Sequence, residues 1–237
     1  MMPVGDDNSG RTVTPLVNYL IIALNILVFV FFQKLGTNDA FLMSFSAVPQ
    51  EILTGTDITT NGLGVSPTPV YLTIITSMFM HGSIAHIAGN MLYLWIFGDN
   101  LENVMGHARY LIFYLLCGIL ATLSHVFVTA AVGQSTLVPS LGASGAISGV
   151  LGGYLLLFPK NKVRVFVFRF VTTMPAIVSL GIWIVLQVIS GLGMLGGSEE
   201  GGGVAYAAHI GGFVAGLILV KLFATKREAA KVVRQDE

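Results

Sequence analysis

Six apolar stretches govern what this 237-residue chain can become, at roughly 16–33, 74–97, 109–132, 141–158, 174–195 and 204–223. Each can supply a bilayer-spanning helix, which needs ~20 predominantly apolar residues. Charged residues make up 10% of the chain and hydrophobic ones 54%. A soluble domain carries charge on about a quarter of its residues, so that class is excluded. The reading is an all-α polytopic membrane protein, a six-transmembrane-helix bundle over 16–224, with a polar segment 1–15 before it and a charged tail 225–237 after it. The leader carries Asp6 and Asp7 rather than a basic region with a small-residue cleavage site, so the first stretch is read as a retained helix.

Charge is balanced overall but unevenly spread. Lys160, Lys162, Arg164 and Arg169 follow the fourth stretch, and Lys221, Lys226, Arg227, Lys231 and Arg234 follow the sixth. Basic loops stay in the cytoplasm, so an even number of helices puts both termini there. The loops after helices one, three and five then face outward, with Lys34 as their one base and Glu199 and Glu200 in the last of them. The expected location is the cell membrane, plasma or inner. The single Cys117 lies mid-way along the third stretch, where it is expected to pack as a small hydrophobe.

The connection at about 34–70 is long and semi-apolar, with Phe41, Leu42, Met43, Phe45, Val48, Ile52 and Leu53 broken by prolines. It is expected on the outer leaflet, where segments of mixed polarity settle. "GGSEEGGG" at 196–203 reads as a flexible outward loop that lets helices five and six move relative to each other.

Polar groups inside a membrane are costly and point to function, so their depth matters. His81, His86 and Asn90 lie at the start of the second helix, Ser144 at the start of the fourth and His209 near the start of the sixth. All three helices begin on the outer side. At ~1.5 Å rise per residue Ser144 and His209 share a layer about 5–10 Å below that boundary. The residue types suit acyl transfer: a serine nucleophile, a histidine to take its proton, and donors for an oxyanion. His86 and Asn90 are spaced i, i+4 and share a helix face, whereas His81 belongs at the helix mouth. No carboxylate occupies the layer, since Asp99 and Glu102 lie at the inner end, so any catalytic unit is a dyad.

The glycines have a separate role. Gly145, Gly149 and Gly153 form one ridge of the fourth helix, beside Ser144, Ser148 and Gly152, and Ala208, Gly212 and Gly216 form one on the sixth. Small ridges let helices approach closely in lipid, which would draw Ser144 towards His209. The alternative is packing alone, with the serines bonded back to their own helix carbonyls.

"GASGAISG" (142–149), "HGSIAHIAGNMLYLWIFGDNLE" (81–102) and "AHIGGFVAG" (208–216) resemble the signatures of the rhomboid family of intramembrane serine proteases, in the same order. The resemblance implies a rhomboid-like bundle with Ser144 as nucleophile and His209 as general base and later acid. It implies His86, Asn90 and the Ser144 backbone N–H as oxyanion donors, and His81 as a supporting group near the entrance. Glu102 resembles a structural carboxylate. Many relatives carry Trp-Arg where this chain has Leu72 and Thr73, and some carry an aromatic where it has Ser148. So small a side chain leaves the His209 ring looser, or bonded to a hydroxyl or water.

The implied substrates are transmembrane helices of membrane proteins, unwound near their outer ends and admitted from the lipid bilayer past helix five. Neither a cofactor, a metal nor a nucleic-acid partner is expected. The alternatives are a catalytically inactive relative that binds membrane clients and a small transporter relaying protons through His81, His86 and His209. Gln187, the main polar residue deep in helix five, reads as packing or cavity lining.

Overall fold

A computed structural model describes residues 2–60, 62–195 and 205–225 of the chain. Strand β1 (Met2–Asp6) precedes α1 (Leu16–Leu27), which a π-helical turn continues through Val28–Phe32. The long connection that follows holds two short helices, α2 (Asp39–Phe45) and α3 (Pro49–Thr54). Then come α4 (Thr73–Thr76) between 3-10 turns, α5 (Ile84–Met105), α6 (His107–Ala131) and α7 (Ser144–Leu157). Strands β2 (Lys162–Val167) and β3 (Phe170–Pro175) lead into α8 (Ala176–Leu195), and α9 (Tyr206–Phe223) follows.

The mainly helical membrane bundle read from the sequence is what the chain forms, with three differences. First, the second apolar stretch is not one helix over 74–97. Val70–Phe79 lies at 80° to Ile84–Met105. Met80 is extended, and Ser83 starts a new helix by accepting a hydrogen bond from the His86 N–H at 3.1 Å. A side-chain cap satisfies an N–H that a continuous helix would otherwise bond internally.

Second, among the described residues α6, α8 and α9 are long and apolar enough to span a membrane alone. The bent pair makes a fourth, and Leu16–Phe32 and Ser144–Leu157 are apolar but shorter. Helix α7 tolerates its shortness because Gly145 through Tyr154 are all buried, so protein rather than lipid surrounds it. Third, the leader and the basic segment after α7 pair as an antiparallel sheet in the order β1-β2-β3. "KVRVFV" alternates charged or large exposed residues with buried Val163 and Val165, which is the period of a strand with one face on the core.

This sheet marks one end of the bundle. Arg11, Arg109, Lys160, Lys162, Arg164, Arg169 and Lys221 gather towards it, while Lys34 lies at the opposite end. At the sheet end the Glu102 carboxylate caps α1, accepting the N–H groups of Val17 at 2.9 Å and Asn18 at 2.7 Å, and meets His107 Nδ1 at 2.5 Å. A carboxylate at a helix N-terminus satisfies its free N–H groups and its dipole together. Asn18 in turn donates to the Leu94 carbonyl and accepts from the Tyr110 hydroxyl, so α1 is fixed to both α5 and α6.

In lipid, apolar burial gives helices little reason to associate, so close van der Waals contact must hold them. Helices α7 and α9 meet this through backbone contact. Cβ atoms added at Gly212 and Gly216 would fall on the carbonyls of Gly145 and Gly149. Gly153 faces Leu101 of α5, Phe113 of α6 and Val220 of α9, so the ridge on α7 serves three neighbours. Cys117 is buried against Gly149, as a small hydrophobe would be.

The 34–70 connection is a folded unit. Buried Glu51 accepts from the Ile58 N–H at 3.0 Å and the Ser66 hydroxyl at 2.8 Å, and Ala47 pairs with Ser140 of the α6–α7 loop. Thr73 is buried and donates to the Val70 carbonyl. The "GGSEEGGG" loop and the tail beyond Thr225 lie outside the described residues.

Candidate active site

At the end away from the sheet, α5, α7, α8 and α9 enclose a cavity of about 500 Å³ lined by His86, Asn90, Ser144, Trp183 and His209 among others. Its geometry starts with the turn into α7. Gly142 has φ +117°, a conformation that disfavours any side chain, and its N–H donates to the Ser77 carbonyl at 2.9 Å. A Cβ here would also meet the imidazole of His86, so only glycine lets that ring approach the turn. Ser144 is the first residue of the helix, where backbone N–H groups are free of internal partners and the helix dipole is positive.

His209 sits in the first turn of α9. Its Nε2 lies 2.8 Å from Ser144 Oγ, within normal hydrogen-bond range. The glycine contact of α7 with α9 holds the two residues at this distance, 65 positions apart in sequence. His86 accepts the Gly82 N–H on Nδ1 at 3.4 Å, which leaves Nε2 of a neutral ring as the protonated nitrogen facing Gly142 and Ser144. Asn90 is buried on the same wall, and its amide nitrogen has no hydrogen-bond partner among the described residues. A buried donor left open into a cavity is costly unless something accepts from it.

His81 lies in the break before α5, fully buried, with its ring edge against His86 at 5.1 Å between centroids. Its backbone is clamped by Gln33, which donates to the His81 carbonyl at 2.8 Å and accepts the His81 N–H at 3.0 Å. Five residues read as site residues from the sequence therefore converge: Ser144, His209, His86 and Asn90 line the cavity, and His81 packs behind His86.

Ser148 turns its hydroxyl back onto its own helix. Its hydroxyl donates to the Ser144 carbonyl at 2.7 Å, the back-bonded arrangement open to a helical serine. The ring of His209 is held from α8 instead. Gln187 Oε1 lies 2.6 Å from Nδ1, and Trp183 packs at 6.1 Å between ring centroids. From the sequence Gln187 reads as packing or cavity lining. The i, i+4 spacing of Trp183 and Gln187 in an otherwise aliphatic helix was the available signal. Gln33 was missed, and nothing local in the sequence marks it.

The sequence profile of the Rhomboid domain matches residues 69–226, more than half of the chain. The chain belongs to the rhomboid family. This rhomboid is 32% identical over 202 residues to Rhomboid protease GluP of Bacillus subtilis, covering 83% of the chain and 35% of that relative. It is 33% identical over 147 residues to mitochondrial Rhomboid protein 1 of Saccharomyces cerevisiae, covering 62% and 40%. The human mitochondrial presenilin-associated rhomboid-like protein is 30% identical over 155 residues, covering 65% and 35%. The matched stretch thus spans about two fifths or less of these relatives. Family and apolar helices together make the rhomboid an integral membrane protein.

Proposed function

We propose that this rhomboid is an intramembrane serine endopeptidase that hydrolyses peptide bonds in or near transmembrane helices. The observation that carries the reading is the 2.8 Å contact of Ser144 Oγ with His209 Nε2 at the wall of the cavity. His209 takes the hydroxyl proton as Ser144 attacks the scissile carbonyl, then returns it to the leaving amine. The Asn90 amide, the His86 Nε2–H and the Ser144 backbone N–H would receive the oxyanion, where fixed donors stabilise developing charge. Water then attacks the acyl-enzyme, with His209 as base again, and releases the acid.

A helical carbonyl is hydrogen-bonded within its helix, so the substrate segment must unwind before attack. Helix α8 is the sparsest wall of the site. A 17% share of its span is buried against 33% for α9, and α5 is not among its principal packing partners. The seam between α5 and α8 therefore suits lateral admission of a substrate helix from the bilayer. The basic bias of the sheet end supports a cytoplasmic location for that end in a cell membrane, with the cavity opening to the outer face.

The direct test is cleavage of a reporter membrane helix by purified protein, wild type against Ser144→Ala, together with labelling by a fluorophosphonate. Wild type should cleave and label at Ser144 while the variant does neither. Equal absence of cleavage and labelling in both proteins would sink the protease reading and leave a client-binding protein.

A further inference from the structure

We propose that Gln187 is the positioning residue of His209, the third member of an amide-supported Ser-His-Gln unit; this rests on the protease reading above. An amide oxygen can only accept a hydrogen bond, so Gln187 Oε1 at 2.6 Å requires the proton of a neutral His209 on Nδ1. Nε2 is then the lone-pair nitrogen, and it is the atom 2.8 Å from Ser144 Oγ. The opposite tautomer would set an N–H against the serine hydroxyl and two lone pairs against each other at Gln187. The same contact fixes the tilt of the ring, with Trp183 from the next turn of α8 packed alongside.

No other side chain described near the ring competes for this role. The Ser148 hydroxyl proton is engaged by the Ser144 carbonyl. The titratable neighbours are His86 on α5, His125 on α6 and Tyr206 on α9, and none is a carboxylate. Gln187 does for the imidazole what a buried carboxylate does in a Ser-His-Asp triad, but as a neutral dipole. It orients the base and sets its tautomer without stabilising the imidazolium as strongly.

The experiment compares wild type, Gln187→Met and Gln187→Glu in detergent micelles, using a reporter membrane helix and a fluorophosphonate probe, with Ser144→Ala as the blank. Methionine keeps the length and loses the acceptor. It should lower kcat about tenfold, the worth of one modest hydrogen bond, with KM changed less than about twofold, and slow Ser144 labelling by a similar factor. Glutamate restores the acceptor and adds charge. It should recover cleavage relative to methionine and move the acidic limb of the kcat/KM profile upward by about one pH unit, because a carboxylate favours the imidazolium.

The inference is overturned if Gln187→Met keeps wild-type kcat, or if Gln187→Glu leaves the acidic limb in place. Should the methionine variant fold poorly, the glutamate profile decides alone. Wild type that cleaves no better than Ser144→Ala defeats the protease reading itself. Wild type that cleaves while both Gln187 variants match it defeats only the role of Gln187.

Discussion

Asn90 shows how a single side chain can be judged by what it lacks. Its amide nitrogen is buried without a partner, although Ser144 and His209 beside it are bonded to each other and His209 to Gln187. That cost makes sense if the acceptor arrives with the reaction, as an oxyanion does. Asn90→Ala should therefore reduce kcat by about 10²–10³-fold with little change in KM, because the lost bond belongs to the transition state. Steady-state cleavage kinetics check this, and a KM effect with unchanged kcat would place Asn90 in substrate binding instead. Ser148 teaches the reverse lesson. It stands where some relatives have an aromatic, yet it bonds its own helix and leaves the imidazole to a residue of a different helix.

At the scale of elements, the decisive feature is the backbone contact of α7 with α9. The glycine ridges were legible from spacing alone, and so was their consequence that the early turns of two helices meet. What spacing did not reveal is how little room remains. A Cβ at Gly216 would land on the Gly149 carbonyl, which is backbone and cannot rotate away. Gly216→Ala should destabilise the bundle by about 1–3 kcal/mol, the usual cost of overpacking, and slow fluorophosphonate labelling as Ser144 and His209 separate. Gly181 on α8 has open space where a Cβ would go, so Gly181→Ala serves as the control and should keep wild-type labelling. Equal behaviour of the two variants in thermal unfolding and labelling would refute the argument.

Across the whole molecule, the sheet end is a polar knot that closes the bundle opposite the cavity. Asp6 of β1 accepts from Asn100 Nδ2 of α5 at 2.6 Å and from the Tyr154 hydroxyl of α7 at 2.7 Å. Burial pushes the Asp6 carboxyl up to about 7, helped by the negative charges of Asp99 and Asp7 and opposed by the Tyr154 bond. A carboxyl raised above its unfolded value binds its proton more tightly when folded. Its contribution is most favourable below the unfolded value of 3.8 and declines as pH rises towards 7, reaching its least favourable level above that. The thermal midpoint in detergent should accordingly fall between about pH 4 and 7 in wild type and fall less in Asp6→Asn, whose oxygen can still accept both bonds. Matching slopes for the two proteins would rule the effect out.

Composition and apolar periodicity alone determined that the chain is a helical membrane protein, because a bilayer punishes polar backbone and charge at every position and so leaves a strong signal. Depth and motif spacing also singled out Ser144, His209, His86 and Asn90, which line one cavity, and His81 behind them, because their places near helix starts can be compared along the chain. The break before α5, the sheet and the folded 34–70 unit escaped, because caps and strand pairing depend on partners distant in sequence. Only the tertiary structure decided what holds the His209 ring. Gln187 and His209 are 22 residues apart, and the spacing of Trp183 and Gln187 marks one face of α8 without saying that this face turns towards α9. That orientation is set by packing, and it turns a lone intramembrane amide into the partner of the imidazole.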